Sequence, residues 1–207
     1  SAASDVYKRQ RLGYMFFYGI EQIFTDPLSI LRIWEGGLSF HGGFIGVLIS
    51  FFIFSKKLKI DFFDLADHIA LAFPIGLGFV RIGNFLGGEL LGRPTDLPWG
   101  MIFWSDPLQI SRHPSQLYQA FFEGVVLFII LNLLVIKPKP KIFISGMFLA
   151  LYGSFRIFTE IFRMPDSHIG FDFLDIITRG QLLSTPMVII GLLLIFLSYR
   201  NKNETIS

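Results

Sequence analysis

The sequence predicts an all-α protein, a polytopic bundle of transmembrane helices. Three observations carry that expectation. Hydrophobic residues make up 52% of the 207 residues and charged residues only 16%, whereas a soluble domain is nearer a quarter charged. Phe alone occurs 25 times, against 18 Lys+Arg and 16 Asp+Glu. The apolar residues gather in blocks close to the ~20 residues that a helix needs to cross a bilayer. The same figures disfavour disorder, a coiled coil and a basic nucleic-acid binder. A net charge of +2 is too small to imply a polyanionic partner, so no nucleic acid is expected. With no Cys in the chain, disulfides, thiolate metal sites, iron–sulfur clusters and a Cys nucleophile are removed.

Five blocks read as full spans: Leu38 to Ser55, Leu65 to Leu86, Leu117 to Ile136, Ile142 to Phe162, and Leu182 to Tyr199. A sixth, Leu12 to Phe24, reads as a partial helix. Residues 1–10, SAASDVYKRQ, are polar and match nothing that follows, so they read as a non-native or unrelated leader. Residues 11–199 then form a single transmembrane domain, and 200–207 a short cytoplasmic tail. No signal peptide and no repeat of 20–50 residues is visible.

Charge placement orients the blocks. Lys56, Lys57 and Lys59 follow the first full span, Lys137, Lys139 and Lys141 join the third and fourth, and Arg200 and Lys202 follow the last. These are alternate connections, so all can face the cytoplasm together. The other side receives segments at about 25–38, 87–115 and 163–181, rich in Gly, Pro, Trp and Asp. That outer side is the expected working face. The stretch from Lys56 to Phe63 is amphipathic enough to lie at the inner interface.

Charged residues inside a membrane helix cost roughly 2.5–3.5 kcal/mol on insertion scales and usually face the protein interior. Here they cluster toward the outer halves. The first full span opens Phe40-His41-Gly42-Gly43. His41 is a candidate proton acceptor, with a structural histidine at a tight helix crossing as the competing reading. The second ends Arg81-Ile82-Gly83-Asn84, followed by Glu89, Gly92 and Arg93. Arg81 and Asn84 share a helix face, and Pro74, Gly76 and Gly78 can kink or thin that helix. An interfacial Arg–Glu pair is the alternative reading here. In the third, Gln116, Gln119 and Glu123 fall at i, i+3 and i+7, one polar stripe along an apolar helix. Ser115, after Pro114, reads as its cap. In the fourth, Tyr152, Arg156, Glu160 and Arg163 share one face, with Glu160 one turn from Arg156 as partner. A buried Arg–Glu pair can be purely structural. Two buried Arg together suggest an anion, since the guanidinium fork matches phosphate. Asp64, Asp67 and His68 read as interfacial charge at the inner end. Together the residues suggest an outward-opening polar pocket for a lipid phosphate headgroup.

Five stretches resemble, in order, the bacterial prolipoprotein diacylglyceryl transferases. They are Trp34-Glu35-Gly36-Gly37-Leu38-Ser39-Phe40-His41-Gly42-Gly43; Arg81 to Gly92 read as R-x-G-N-F-x-x-x-E-x-x-G; Arg112-His113-Pro114-Ser115-Gln116-Leu117-Tyr118; Gly153-Ser154-Phe155-Arg156 through Glu160, Phe162-Arg163 and Pro165-Asp166; and Gly180-Gln181-Leu182-Leu183-Ser184-x-Pro186-Met187. One motif could arise by chance; five in register are specific.

The resemblance implies transfer of the diacylglyceryl group of phosphatidylglycerol to the lipobox Cys thiol of a preprolipoprotein, giving a thioether and glycerol phosphate. It implies the bacterial inner membrane, an active site toward the outer side, a cytoplasmic C-terminus and a signal peptide bearing the lipobox Cys as partner. Arg81 and Arg156 would bind the headgroup and stabilise the transition state, and His41 would be the base or a positioning residue. Asn84, Glu89, Gly92 and Glu160 match substrate-binding positions, and Gly42, Gly43, His113, Gln116, Tyr118, Glu123 and Arg163 supporting ones. No metal and no organic cofactor is implied. The family has seven transmembrane helices, against five full spans and one partial here. A family Tyr near the first helix has no counterpart, since Tyr14 and Tyr18 lie too late. Gly87 stands where many relatives have Asn, and Gln119 where many have Glu. The competing readings are a non-enzymatic lipid-binding or transport protein, and an inactive truncated transferase.

Overall fold

The computed structural model describes residues 40–164, 171–173 and 177–204, with side chains described for 47, 49–164, 178 and 180–200. The Leu12 to Phe24 block, Trp34 to Ser39, Pro165-Asp166 and the side chain of His41 lie outside the described residues. The contacts divide the chain into two compact units, Ser1–Leu65 and Ala66–Ser207.

In the first unit, helix α1 spans Phe40–Leu58, three residues beyond the block read from the sequence. It carries Gly42 and Gly43 in its first turn. It stops at Lys59, whose φ of 55° is left-handed. Helix α2, Phe62–Leu86, starts at once. Asp61 caps it: its Oδ1 accepts the amides of Phe63 at 2.9 Å and Asp64 at 3.3 Å, satisfying two of the four amides that a helix start leaves open. The charged connector is thus a helix junction.

The second unit carries the rest of α2. A short antiparallel hairpin follows, β1 (Met101–Ile102) against β2 (Ser111–Arg112). Helix α3 spans Ser115–Leu134 and is α-helical at both ends, with a π-helical middle from Ala120 to Val126. Helix α4 spans Phe143–Glu160. A second hairpin, β3 (Phe171–Phe173) with β4 (Ile177–Thr178), leads into helix α5, Arg179–Glu204. Helix α5 extends past the polar boundary expected at Arg200.

The start of α5 is a capping box. Thr178 Oγ1 accepts the Gln181 amide at 3.3 Å, and Gln181 Oε1 accepts the Thr178 amide at 3.2 Å. Ser115 does not cap α3 as the sequence suggested. Pro114 occupies the cap position, and the Ser115 hydroxyl donates to the Leu90 carbonyl at 3.3 Å instead. Asp67 is more than interfacial charge: its Oδ1 accepts the Ser145 amide at 2.8 Å and the Ser145 hydroxyl at 2.6 Å. It therefore caps α4 from α2.

Segments Phe62–Leu86, Ser115–Leu134 and Gly180–Arg200 are long and apolar enough to cross a membrane. The chain is a multi-pass membrane protein of all-α class. Helix α4 is less apolar because it lies inside: Gly146, Ala150, Gly153, Arg156, Thr159 and Glu160 are buried. Small residues let α5 approach it. A Cβ on Gly191 would stand 2.5 Å from the Ala150 amide nitrogen, and one on Gly153 2.8 Å from the Val188 side chain. Lipid tails give helices no hydrophobic reason to associate, so such close packing holds them together. The apolar core joins Ala70, Leu127, Leu131, Phe143 and Ile144. It lies toward one end of these helices and leaves the other end to polar residues.

Candidate functional site

The polar end is organised by one close helix crossing. A Cβ on Gly124 would stand 2.8 Å from the Gly78 Cα, backbone against backbone. One residue before Gly124 on α3 is Glu123, and one turn after Gly78 on α2 is Arg81. The crossing therefore delivers Arg81 to Glu123, 42 residues apart in sequence. Both Nε and Nη2 of Arg81 donate to Glu123 Oε2, each at 3.2 Å. Glu123 sits in the π-helical middle of α3. Such segments add a residue to a turn and recur at functional sites.

The second oxygen of Glu123 faces α4. Thr159 Oγ1 donates to it at 3.3 Å, and Arg156 Nη1 stands 3.8 Å away. Arg156 Nη2 forms an ion pair with Glu160 Oε2 at 2.8 Å, and Glu160 Oε1 stands 3.8 Å from Arg163 Nη1. The result is a continuous row: Arg81, Glu123, Arg156, Glu160, Arg163. Three guanidiniums meet two carboxylates, an excess of one positive charge. Glu123 is fully buried, and both Arg156 and Glu160 are more than nine-tenths buried. The Tyr152 hydroxyl faces the same cluster, interacting with Arg81, Glu123 and Arg156. Gly180 at the start of α5 makes room for it: a Cβ there would stand 2.6 Å from Glu160 Oε1.

A second layer forms where α2 ends. Asn84 Nδ2 donates to Glu89 Oε2 at 3.1 Å, and Gln116 Nε2 donates to the Glu89 carbonyl. Gly92 pairs with Arg163 as an isolated bridge. No other residue fits at Gly92, since a Cβ would stand 2.0 Å from the His113 carbonyl oxygen. Trp99 Nε1 donates to the Tyr118 hydroxyl at 2.9 Å, which lies 3.2 Å from His113 Nδ1. His113, Tyr118 and Phe162 pack edge to face in one triad. Arg112 grips Asp106 through two hydrogen bonds, 2.7 and 3.0 Å, and reaches the Gly92 carbonyl at 3.3 Å. The Arg112 guanidinium holds the Asp106 carboxyl at about 2, below its ordinary 3.8, helped by the amides of Leu108 and Ile110.

The structure thus brings together Arg81, Glu123, Arg156, Glu160 and Arg163 in one row, and Asn84, Glu89, Gly92, His113, Gln116 and Tyr118 beside the end of α2. Glu123 is the hub of the row, although the resemblance implied only a supporting place for it. Tyr152 joins the cluster from the face it was read to share with Arg156. Thr159 joins it without having been singled out, although it stands three residues from Arg156 on the same helix, which was the available signal. Several buried polar atoms have no hydrogen-bond partner among the described residues: Asn84 Oδ1, Gln116 Oε1, both amide atoms of Gln119, and Arg156 Nη1. Among the described residues no three His, Cys, Asp or Glu side chains converge as a metal would require. Chemically, the row offers guanidinium forks in a place shielded from water, where electrostatic stabilisation is strongest.

A family model described as prolipoprotein diacylglyceryl transferase matches residues 9–197. The chain is similar to the phosphatidylglycerol–prolipoprotein diacylglyceryl transferase of Pseudomonas syringae pv. syringae (strain B728a), 52% identical over 192 residues. That alignment covers 92% of this chain and 71% of the relative. The protein of the same name from Teredinibacter turnerae is 52% identical over 191 residues, covering 92% and 66%. That from Marinomonas sp. (strain MWYL1) is 53% identical over 181 residues, covering 87% and 67%.

Proposed function

The chain belongs to the prolipoprotein diacylglyceryl transferase family, and from that premise we propose how its buried arginines serve the reaction. The chain is a transferase that uses phosphatidylglycerol as donor and a prolipoprotein as acceptor. The acceptor atom is the thiol sulfur of the lipobox Cys in the signal peptide. That sulfur attacks the glyceryl carbon that bears the phosphate. The S–C bond forms, the C–O bond to phosphate breaks, and glycerol phosphate leaves. The thiol proton passes to a base, for which His41 is the candidate.

The observation that carries this reading is the placement of Arg81 and Arg156 on the two oxygens of one buried carboxylate. The phosphodiester of the donor carries one negative charge, and the departing glycerol phosphate gains another. Two fixed guanidiniums meet that growing charge without reorganising, which is where preorganised electrostatics lower a barrier most. Glu123 and Glu160 hold both guanidiniums in position and keep the donor-free site from carrying three unbalanced cations. Asn84, Gln116 and Gln119 offer unpaired amide atoms suited to a polyol headgroup, which both donates and accepts. Glu89 orients Asn84, and Gly92 holds the segment against His113. Tyr118 and Arg163 brace the two ends of that layer. We place the protein in the bacterial inner membrane with this site toward the outer side and the C-terminus in the cytoplasm, as the lysine distribution supports.

The test is a transfer assay in detergent with phosphatidylglycerol and a peptide containing the lipobox Cys. The expected result is a peptide heavier by one diacylglyceryl group, with glycerol phosphate released in equal amount. Binding of phosphatidylglycerol without either product would contradict the reading.

A further inference from the structure

The segment between α2 and α3 has an unusual surface. From Leu97 to Ile110 it holds a single charged residue, Asp106. That charge is turned inward: Asp106 is 2% exposed and paired with Arg112, itself 2% exposed. The apolar side chains are turned outward instead. Trp104 is 76% exposed, Leu108 66% and Ile102 64%. This is not a slack loop. Phe103, on the opposite side of the hairpin, is buried and packs edge-on against Phe85 of α2 with ring centroids 5.8 Å apart. The Ser105 hydroxyl donates to the Gly88 carbonyl, and Asp106 accepts the amides of Leu108 and Ile110. The hairpin is folded and tied to the end of α2 with its apolar face presented outward. Contiguous exposed apolar surface on a fixed scaffold marks an interaction site.

What covers that surface follows from its neighbour. Helix α2 is long and apolar enough to cross a membrane, and its last residue, Leu86, is 72% exposed. Leu86 lines one shallow cavity of about 250 Å³ together with Phe85 and the stretch from Met101 to Trp104. The apolar face of the hairpin therefore adjoins the exposed apolar end of α2 at Leu86. Trp is the residue that membrane proteins place at headgroup level, since its ring is apolar and its N–H remains hydrated.

We propose that the β1–β2 hairpin is an interfacial anchor, with Ile102, Trp104 and Leu108 embedded at the boundary between headgroups and acyl chains of the bilayer. The anchor fixes the depth of the membrane. Asn84 lies in the last turn of α2, and Glu89 and Gly92 lie between α2 and this hairpin, so all three are held at the level of phospholipid headgroups. The inference stands whatever reaction the site performs.

The test reads the depth of Trp104. The chain has three Trp, so Trp34→Phe with Trp99→Phe leaves Trp104 as reporter. The protein is reconstituted into phosphatidylcholine and phosphatidylglycerol vesicles containing brominated phosphatidylcholine. The expected result is blue-shifted emission and strong quenching. Bromine near the carbonyl end of the acyl chains should quench more than bromine at the chain terminus, and aqueous acrylamide should quench weakly. Should the double variant fold poorly, Trp104→Phe in the otherwise unchanged chain gives the same depth by difference. Adding Ile102→Asp and Leu108→Asp should shift Trp104 emission to the red and restore acrylamide quenching. Full acrylamide quenching with no effect of brominated lipid would overturn the proposal. So would acrylamide access that disappears only when an apolar signal-peptide segment is added, which would make the surface a docking site for that peptide.

Discussion

Arg81 places both Nε and Nη2 on a single oxygen of Glu123, each at 3.2 Å. That leaves the other oxygen for Thr159 and Arg156. One carboxylate therefore sets the spacing of two guanidiniums that arrive on different helices. Replacing Glu123 by Gln keeps the shape and removes the charge that both arginines share. Breaking a buried ion pair by neutralising one partner costs about 3–5 kcal/mol. We expect Glu123→Gln to lower the thermal midpoint in detergent and to reduce transfer. Unchanged stability and unchanged activity together would show that the arginines do not depend on Glu123.

The Gly78–Gly124 crossing gives a second expectation. A Cβ at Gly124 meets backbone rather than a movable side chain, so α2 and α3 must separate. Overpacking of this kind costs roughly 1–3 kcal/mol. Gly124→Ala should therefore lower both thermal stability and activity, because it draws Arg81 away from Glu123. Gly83→Ala on the same helix as Arg81 meets nothing within 4 Å and should leave both unchanged.

Gly180→Ala tests the placement of Glu160. Its Cβ would press on the Glu160 carboxylate at 2.6 Å, so the carboxylate must shift away from Arg156. Glu160 is buried, and loosening a buried ion pair costs stability as well as geometry. We expect Gly180→Ala to lower both kcat/KM and the thermal midpoint. No change in either would show that the Glu160 carboxylate adjusts without leaving Arg156.

The Arg112–Asp106 pair sets an acid limit on the α2–α3 segment. The Asp106 carboxyl is held at about 2, below its ordinary 3.8. The folded state therefore binds its proton less readily than the unfolded state does. The stabilisation is fully present above about pH 4 and is lost as pH falls through about 2. Hydrogen exchange of the hairpin amides should stay slow down to about pH 4 and then lose protection. In Asp106→Asn that extra step should be absent, and protection should already be lower at neutral pH. A step of equal size in the variant would assign it to another group.

The spans were legible because lipid demands long apolar runs, and α2, α3 and α5 follow the blocks closely. The stripe of Arg156, Glu160 and Arg163 was legible because α-helical spacing alone puts them on one face. The role of Glu123 was not legible. It depends on Arg81 and Arg156, which are 42 and 33 residues away, and on a π-helical turn that no sequence period announces. The hairpins were read as outer segments without strands because each pairs only two or three residues, too few for alternation to show. Ser115 looked like a cap because hydroxyls before a helix usually are. The Leu90 carbonyl, brought close by the tertiary fold, took its hydrogen bond instead.

The most direct measurement compares the unchanged chain with Arg156→Ala and Arg156→Lys in the phosphatidylglycerol transfer assay, following glycerol phosphate release. Removing one preorganised donor to a developing anion typically costs roughly 10²–10³-fold in rate. We expect a loss of that size in Arg156→Ala. Arg156→Lys should recover only a small part of it, because a point charge cannot reach the phosphate and hold Glu160 with one planar fork. Transfer by Arg156→Ala at the rate of the unchanged chain would show that the donor phosphate does not meet the Arg81–Glu123–Arg156 row.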